Sequence, residues 1–409
     1  MKLRKIAMLL PIRYGPNMRV NPQIGIASYL VNFGHEITWI LFSENCPTTK
    51  RDTYHGIDVY ATPNIRYLSE TSALGKGFNL IPAILRKLRI TLQVIREGEY
   101  DLLFVREDTV DGLVGTYIKR KHKIPLVYER TDPLEQEAAG YRIESRKPLL
   151  LWLMMAKIKA WLKIYTMRRA DLVLPTTGWS EEELAKQGIP ESKLMPFPNG
   201  VDMDSLSNKK DRDIRKKLCL VNSKVIIYVG VMGKMRNLDV LIQAFALVKP
   251  VIGNIKLLMV GDGTGRGDLE KLAAETEVEN DVIFTGQVPQ SEVPGFIAAA
   301  DIGVSIVPPL SFYKVSSPIK MLEYMAMAKP VVANEEILEH KEVLEQSRGG
   351  IIVSYTPDAF ANAIIRSLDN PSAAAEMGRR GKEWVVKNRS YEVLARRLEE
   401  QYIHLLKHY

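Results

Sequence analysis

The chain reads as an α/β protein of two doubly wound, Rossmann-like domains, each a parallel sheet covered by helices. Three observations predict this. Short β-branched apolar runs alternate with helical patterns from one end to the other. The rhythm halts once, at Pro198-Asn199-Gly200-Val201-Asp202 and the polar stretch Ser205 to Lys217, and then restarts. The length of 409 residues suits two or three domains of ordinary size.

In the first half, strands are predicted near Lys5–Pro11, Glu36–Phe42, Asp58–Ala61, Asp101–Arg106, Leu126–Glu129, Leu172–Pro175 and Leu194–Phe197. The second half places them at Val225–Val231, Lys256–Val260, Val282–Thr285, Ile302–Val307, Val331–Ala333 and Ile351–Val353. Ser180 and Glu183 have the spacing of a capping box that opens a helix just before the border. A last helix, Tyr391 to Leu406, follows the second sheet. The expected division is residues 1–200, residues 201–387, and a C-terminal helix in 388–409 that packs back on the first domain. Two such domains would turn their strand ends, and so their ligands, toward a shared cleft.

Hydrophobic content of 46% and charged content of 25% are those of a soluble globular chain. Cys46 and Cys219 lie too far apart for a metal pattern or a disulfide framework, which points to a reducing compartment. Ala7–Ile12 is apolar but too short for a signal peptide and reads as the first strand. The longest central apolar run, Leu149–Ala156, is too short to span a bilayer. The formal charge of +8 is concentrated. Five basic and no acidic residues lie between Lys76 and Arg96, and seven basic and no acidic residues between Ser145 and Ala170. Those twelve exceed the net excess, so the remainder of the chain is net acidic.

The segment Ser316-Ser317-Pro318-Ile319-Lys320-Met321-Leu322-Glu323 stands between a buried-type strand and a helix that Lys329-Pro330 stops. Pro318 suits the first helical position, which makes Ser317 the expected cap. A helix opened in this way aims unpaired N–H groups and the positive end of its dipole above the sheet. Lys320 in the first turn is electrostatically misplaced unless an anion also binds there, and Glu323 lies behind it on the same face. The pattern suits a phosphate at the tip and a hydroxyl-bearing group behind it. The plainer reading is an ordinary cap with a solvated i, i+3 ion pair. A dinucleotide fingerprint is excluded, because the third glycine after Gly261 and Gly263 would fall at Arg266. No P-loop occurs.

Six further segments occur in register with this one. They are Ala170-Asp171-Leu172-Val173-Leu174, Pro198 to Asp202, Tyr228-Val229-Gly230, Gly261-Asp262-Gly263, Thr285-Gly286-Gln287-Val288-Pro289, and Ala300-Asp301. With Glu323-Tyr324-Met325-Ala326 leading to Lys329-Pro330-Val331-Val332, the chain resembles the retaining glycosyltransferases of family 4, which have the GT-B architecture. The resemblance covers most of the chain. It implies that Glu323 binds the ribose hydroxyls. Ser316, Ser317, Lys320 and the backbone around Leu322 would hold the diphosphate of a nucleotide-sugar donor. Val288 would present its backbone to the nucleobase, with Gly261 and the Gly286 turn nearby. Gly230 would open the loop in which Arg236, or Lys234 in its stead, supplies positive charge. Gly15 and Arg19, after the first strand, would approach the diphosphate from the other domain.

The chain departs from the family at three places. Val231 replaces an Arg, and Val315 replaces the first of two glutamates, although a variant branch has the Ser-Pro-x-Lys-x-x-Glu found here. The family's His–Asp pair is reduced to Asp132, with Glu129 beside it as a further candidate. Arg130 reads as a surface-loop residue, and neither His35 nor His122 reads as catalytic. The implied reaction is transfer with retention. Lys320, Glu323, Arg236 and Asp132 are its candidate catalytic residues, and no cofactor is implied. No Asp-x-Asp cluster suggests a metal, and Lys320 with Arg236 would take its place on the departing diphosphate. A sugar-nucleotide epimerase or phosphorylase of the same architecture, and a non-catalytic nucleotide-sugar-binding partner, are the alternatives.

Ile81, Ile84, Leu85, Leu88, Leu92 and Ile95 form one helical stripe beside Arg86 and Arg89. A second helix, about Pro148 to Arg168, aligns Leu150, Leu153, Met154, Trp161 and Tyr165 opposite Lys159 and Lys163. Both stripes are expected to pack largely on the first domain's own sheet. The unopposed basic charge nevertheless suits an anionic membrane surface and a lipid-linked or glycan acceptor at the inner face of the plasma membrane. Nucleic acid is not expected as a partner, since aromatic residues are not interleaved for base stacking.

Overall fold

The computed structural model describes residues 4–15, 18, 22–43, 49–63, 80–131, 149–207 and 212–409. The chain divides into two units, Met1–Pro198 with Leu394–Tyr409, and Asn199–Val393.

In the first unit, β1 (Lys5–Tyr14), α1 (Pro22–Asn32), β2 (Glu36–Ser43), β3 (Lys50–Tyr54), β4 (Ile57–Pro63), α2 (Leu80–Glu97), β5 (Leu102–Arg106), α3 (Thr109–His122), β6 (Leu126–Arg130), α4 (Leu149–Arg169), β7 (Leu172–Pro175) and α5 (Gly178–Lys186) follow one another. Their sheet has the order β3-β4-β2-β1-β5-β6-β7 and is parallel except for the β3–β4 pair. Strands β5, β6 and β7 are buried on both faces, which is why they read as continuous apolar runs.

The second unit runs α6 (Met203–Ser207), α7 (Arg212–Lys217), β8 (Lys224–Val229), α8 (Asp239–Ile252), β9 (Ile255–Val260), α9 (Arg266–Glu275), β10 (Val282–Phe284), α10 (Val293–Ala299), β11 (Ile302–Ser305), α11 (Ser311–Lys314), α12 (Ile319–Ala326), β12 (Val331–Asn334), α13 (Leu338–Ser347), β13 (Gly350–Val353), α14 (Pro357–Asp369) and α15 (Pro371–Asn388). Its six strands are ordered β10-β9-β8-β11-β12-β13, all parallel. Alternate residues of β8 serve opposite faces. Val225, Ile227 and Val229 pack with Met321, Leu322 and Met325 of α12, while Ile226 and Tyr228 pack with Leu241 and Phe245 of α8. Each such large side chain contributes roughly 1.5–3 kcal/mol by leaving water. The last helix, α16 (Tyr391–Lys407), begins in this unit and continues into the first.

Both sheets are doubly wound. Strand order reverses between β1 and β5 in one, and between β8 and β11 in the other, and ligands of such sheets bind outside the carboxyl ends at the reversal.

Four readings of the sequence are corrected. β3 went unpredicted because Lys50-Arg51-Asp52-Thr53-Tyr54 is an exposed antiparallel edge with no apolar alternation. Leu194–Phe197 is extended beside β7, with Met195 N and Phe197 N donating to Val173 and Pro175 carbonyls, but it joins the sheet only through a Val173–Leu194 bridge. Pro196 and Pro198 bring no N–H to a longer ladder. The helix near 180 is capped by Thr177, whose hydroxyl accepts from Ser180 N at 3.1 Å, so Ser180 is inside α5 and forms no capping box. The two basic helices are also oriented differently from the stripe reading. Lys87 is fully buried and donates to Asp111 Oδ2 at 2.7 Å, whereas Leu85 is 60% exposed. Lys163 is buried 3.3 Å from Glu107, whereas Met154 and Trp161 face outward. In each helix an acid on the adjoining element decides which side turns inward.

Candidate functional site

The predicted donor-binding residues of the second unit lie on the segments that follow β8, β9, β10 and β11 at the carboxyl edge of the sheet, with Lys320, Leu322 and Glu323 inside α12. Gly230, directly after β8, donates to Val260 O at 2.9 Å. Gly261, directly after β9, donates to Gly286 O at 3.1 Å. A Cβ on Gly261 would lie 2.0 Å from Gly230 O, and its φ of +135° suits only glycine, so the three loops meet because this residue has no side chain. Val288 follows two residues after Gly286, half-buried against the core. Gly230, Gly261 and the Gly286–Val288 turn are thus brought together.

Helix α12 sits beside the β8–β11 reversal. Tyr324 fixes it there: its buried phenol oxygen accepts from Val229 N at 2.8 Å. Its ring lies where a Cβ on Gly303 of β11 would be, only 2.4 Å from that position. The helix begins at Ile319, with Pro318 as the cap residue and no side-chain cap bond, so Ser317 is not the cap. Instead Ser317 is buried and anchors the entry to the helix. Its hydroxyl accepts from Asn199 N at 3.2 Å, and its carbonyl accepts from Asn199 Nδ2 at 2.8 Å. Ser316 turns back, donating to Tyr313 O at 2.7 Å. Among the described residues no side chain accepts from the first-turn N–H groups of α12, the arrangement in which a helix end suits an anion.

Lys320 Nζ stands 3.3 Å from Glu323 Oε2, with the lysine side chain 40% exposed and the glutamate 16%. Leu322 is buried in the core of the unit. Arg236 and Lys234 share the 3-10 turn Lys234–Arg236 after Gly230. Lys234 pairs with Asp268 at 3.0 Å on the surface. Arg236 lies over the ring of Tyr313, its Cζ 4.8 Å from the centroid. Val231, in the place of a cation, is 57% exposed.

Beneath α12, Glu339 is fully buried 3.1 Å from Arg389. Burial pushes its carboxyl up to about 7, against the pull of Arg389 and the Ser317 hydroxyl. Asn199 and Glu339 thus hold Ser317 from two sides. Asn199 was visible in the sequence only as part of a turn motif, and Glu339 and Tyr313 carried no local signal.

In the first unit, Gly15 directly follows β1, and its carbonyl accepts from Met18 N at 3.0 Å. Arg19 and Asp132 lie outside the described residues. Glu129 is buried at the end of β6, 3.5 Å from Arg106. Arg130 is a correction: it is the last residue of β6, buried and 3.2 Å from Glu183, not a loop residue. His35 is buried and pairs with Glu399 at 2.9 Å.

With this geometry in place, comparison with known proteins defines the class. Residues 24–205 match the model of Glycosyltransferase Family 4, and residues 209–384 match Glycosyl transferases group 1. The chain therefore carries two matched glycosyltransferase domains, one for each Rossmann-like unit. Among similar proteins is the GDP-mannose-dependent alpha-(1-6)-phosphatidylinositol monomannoside mannosyltransferase of Mycolicibacterium smegmatis, 26% identical over 56% of this chain and 62% of the relative. Alpha-D-kanosaminyltransferase of Streptomyces kanamyceticus is 24% identical over 60% of this chain and 64% of the relative. Alpha-monoglucosyldiacylglycerol synthase of Streptococcus pneumoniae is 23% identical over 68% and 61%. The matched region spans less than two thirds of each of these relatives. The sucrose-phosphate synthase of Thermosynechococcus elongatus superposes with a TM-score of 0.74 at 18% identity, over 99% of this chain and 100% of that one. HepE of Anabaena in complex with UDP gives 0.71 at 18%, over 97% and 99%. These likenesses establish the GT-B fold.

Proposed function

We propose that the protein transfers a sugar, with retention at the anomeric carbon, from a nucleoside-diphosphate sugar to a lipid-linked or glycan acceptor at the inner face of the plasma membrane. One observation carries the donor side. The open first turn of α12, with Lys320 on it and Arg236 on the neighbouring loop, flanks the strand-order reversal of the second unit. Breaking a sugar–phosphate bond leaves negative charge on the diphosphate. Backbone N–H groups and two cations fixed beforehand at that point would stabilise the charge as it develops. Glu323, one turn behind, is an acceptor for the ribose hydroxyls. The departing phosphate can itself take the acceptor's proton, so the scheme needs no separate protein base. Relatives support the donor class, since one is GDP-mannose-dependent and HepE has been solved with UDP.

Thermal melting with UDP, GDP and their common sugar conjugates tests this reading. The matching donor should raise the melting temperature, because at a hundredfold excess over Kd it adds about 2.7 kcal/mol. Lys320→Ala and Glu323→Gln should abolish both that shift and turnover. Release of nucleoside diphosphate only when acceptor is present would separate transfer from epimerisation. A folded chain stabilised by none of these donors would overturn the proposal.

The membrane side rests on α4. Thr166 stands beside Gly112 in the first turn of α3, and Lys163 pairs with Glu107 just after β5. The part of α4 before Lys163 therefore runs past the carboxyl edge of its sheet, for about 20 Å. On it Met154, Ile158 and Trp161, spaced i, i+4, i+7, are 54%, 54% and 64% exposed. The helix carries Lys157, Lys159, Lys163, Arg168 and Arg169 and no acid. An exposed apolar stripe on a helix without acids fits an anionic bilayer surface. Two of the relatives act, by name, on phosphatidylinositol- and diacylglycerol-based acceptors. The full chain should sediment with phosphatidylcholine vesicles containing phosphatidylglycerol and much less with phosphatidylcholine alone. Ile158→Ser with Trp161→Ser should weaken that binding roughly tenfold or more without changing the melt. Equal sedimentation of this variant, or none by the parent, would exclude the surface.

A further inference from the structure

Tyrosines from three separate parts of the chain hold the turn that carries Arg236. Tyr228, at the end of β8, donates to Val231 O at 3.3 Å, where the loop begins. Tyr355, after β13, donates to Asn237 O at 2.7 Å, where the turn closes in a left-handed residue with φ +42°. Tyr313 of α11 lies against the guanidinium itself. Tyr228 and Tyr313 are each only 6% exposed, so the core fixes both rings. Burial pushes the Tyr228 phenol up to about 12 against the opposing charge of Arg236, so it remains a donor at neutral pH.

The three site cations are treated differently. Lys234 and Lys320 each face a carboxylate, Asp268 and Glu323. Among the described residues, Arg236 has no carboxylate within ion-pair distance, and an aromatic face takes that place. The difference matters chemically. A carboxylate partner would occupy the N–H edge of the guanidinium, whereas a ring face takes no such ion pair and leaves that edge free. That edge is the fork that binds two phosphate oxygens at once.

We propose that Tyr313 is a positioning residue for the donor diphosphate: its ring sets the plane of Arg236 so that the guanidinium fork meets the phosphate oxygens, while Tyr228 and Tyr355 fix the backbone of the turn. The proposal rests on the donor-site reading above and adds to it a reason for arginine at 236. Lysine there would keep the charge but have no plane for a ring to set. It also links two loops, because the residue that orients the cation after β8 lies on the segment that leads into α12.

Calorimetric binding of inorganic pyrophosphate by the full chain tests it, since pyrophosphate is the part common to every candidate donor. Arg236→Gln and Tyr313→Leu should each weaken binding about tenfold, and together no more than either alone. Tyr313→Phe should bind within about twofold of the parent, because the ring face and not the hydroxyl is used. Arg236→Lys should be nearly as weak as Arg236→Gln. Melting and circular dichroism identify any variant that fails to fold, and if Tyr313→Leu does not fold, Arg236→Lys binding like the parent overturns the role of the guanidinium plane. If Arg236→Gln binds weakly while Tyr313→Leu binds like the parent, or if the two losses multiply, the positioning role is overturned and the donor site stands. If the parent chain binds neither pyrophosphate, UDP nor GDP, both fall.

Discussion

His340 shows how one side chain beneath the candidate site ties strand ends to a loop. It is fully buried on α13, with Nε2 2.9 Å from Ser305 Oγ at the end of β11 and Nδ1 3.1 Å from Asn334 O at the end of β12. A carbonyl only accepts, so Nδ1 carries the proton and Nε2 accepts from the serine. Asn334 in turn clamps Val307 with two bonds of 3.0 Å, at the start of the loop that leads to α11 and α12. Burial pushes the imidazole down to about 4 from an ordinary 6.5, with the Asn334 carbonyl and Glu336 opposing. The unfolded chain therefore takes up a proton here between pH 6.5 and 4 while the folded chain does not. Stability is lost as pH falls through that window, by up to about 3 kcal/mol from this residue. Urea unfolding at stepped pH should show the slope, and His340→Leu should be less stable at pH 7 but should lose that part of the slope. An unchanged slope would show that other groups cause it. The sequence reading weighed His35 and His122 and passed over His340, because within Leu-Glu-His-Lys-Glu a histidine looks like any helix-surface residue. Its burial depends on strand partners far away in the chain.

Among elements, legibility followed how local the cause was. Twelve of the thirteen predicted strands recur with shifts of at most three residues at the ends, because their apolar runs are wholly or partly buried. The thirteenth, Leu194–Phe197, was misread because its prolines limit the pairing, and β3 escaped because an exposed edge needs no apolar pattern. The caps failed for a different reason. Ser180 and Ser317 both have cap-like chemistry, yet Thr177 was nearer the true start of α5, and the burial of Ser317 against Asn199 removed its hydroxyl from α12. The motif around Lys320 and Glu323 was legible because i, i+3 spacing is fixed by the helix itself. What periodicity cannot give is which face turns inward when an acid waits on the neighbouring element. Asp111 and Glu107 drew Lys87 and Lys163 into the protein, so charge pairing overrode the apolar stripe in both helices.

At the scale of the molecule, chain order and structural unit part company at α16. The helix follows the whole second sheet in sequence, yet from Leu394 onward it belongs to the first unit. Leu394, Ala395, Leu398 and Tyr402 form its buried face, Glu399 pairs with His35, and Arg396 lies 4.7 Å from the Phe33 ring. The first unit is therefore complete only when the last residues of the chain are present, and its stability is coupled to a segment made after the other unit. Removing a buried leucine side chain costs about 2–5 kcal/mol where the surroundings cannot collapse. If the two units open as separate cooperative blocks, Leu398→Ala should cost that amount in the first alone. Native-state hydrogen exchange reads this strand by strand. Amides of β1, β2 and β5 should lose protection by a common factor, while those of β8, β9 and β11 keep theirs. An equal loss in both groups would mean that the two sheets unfold as one block.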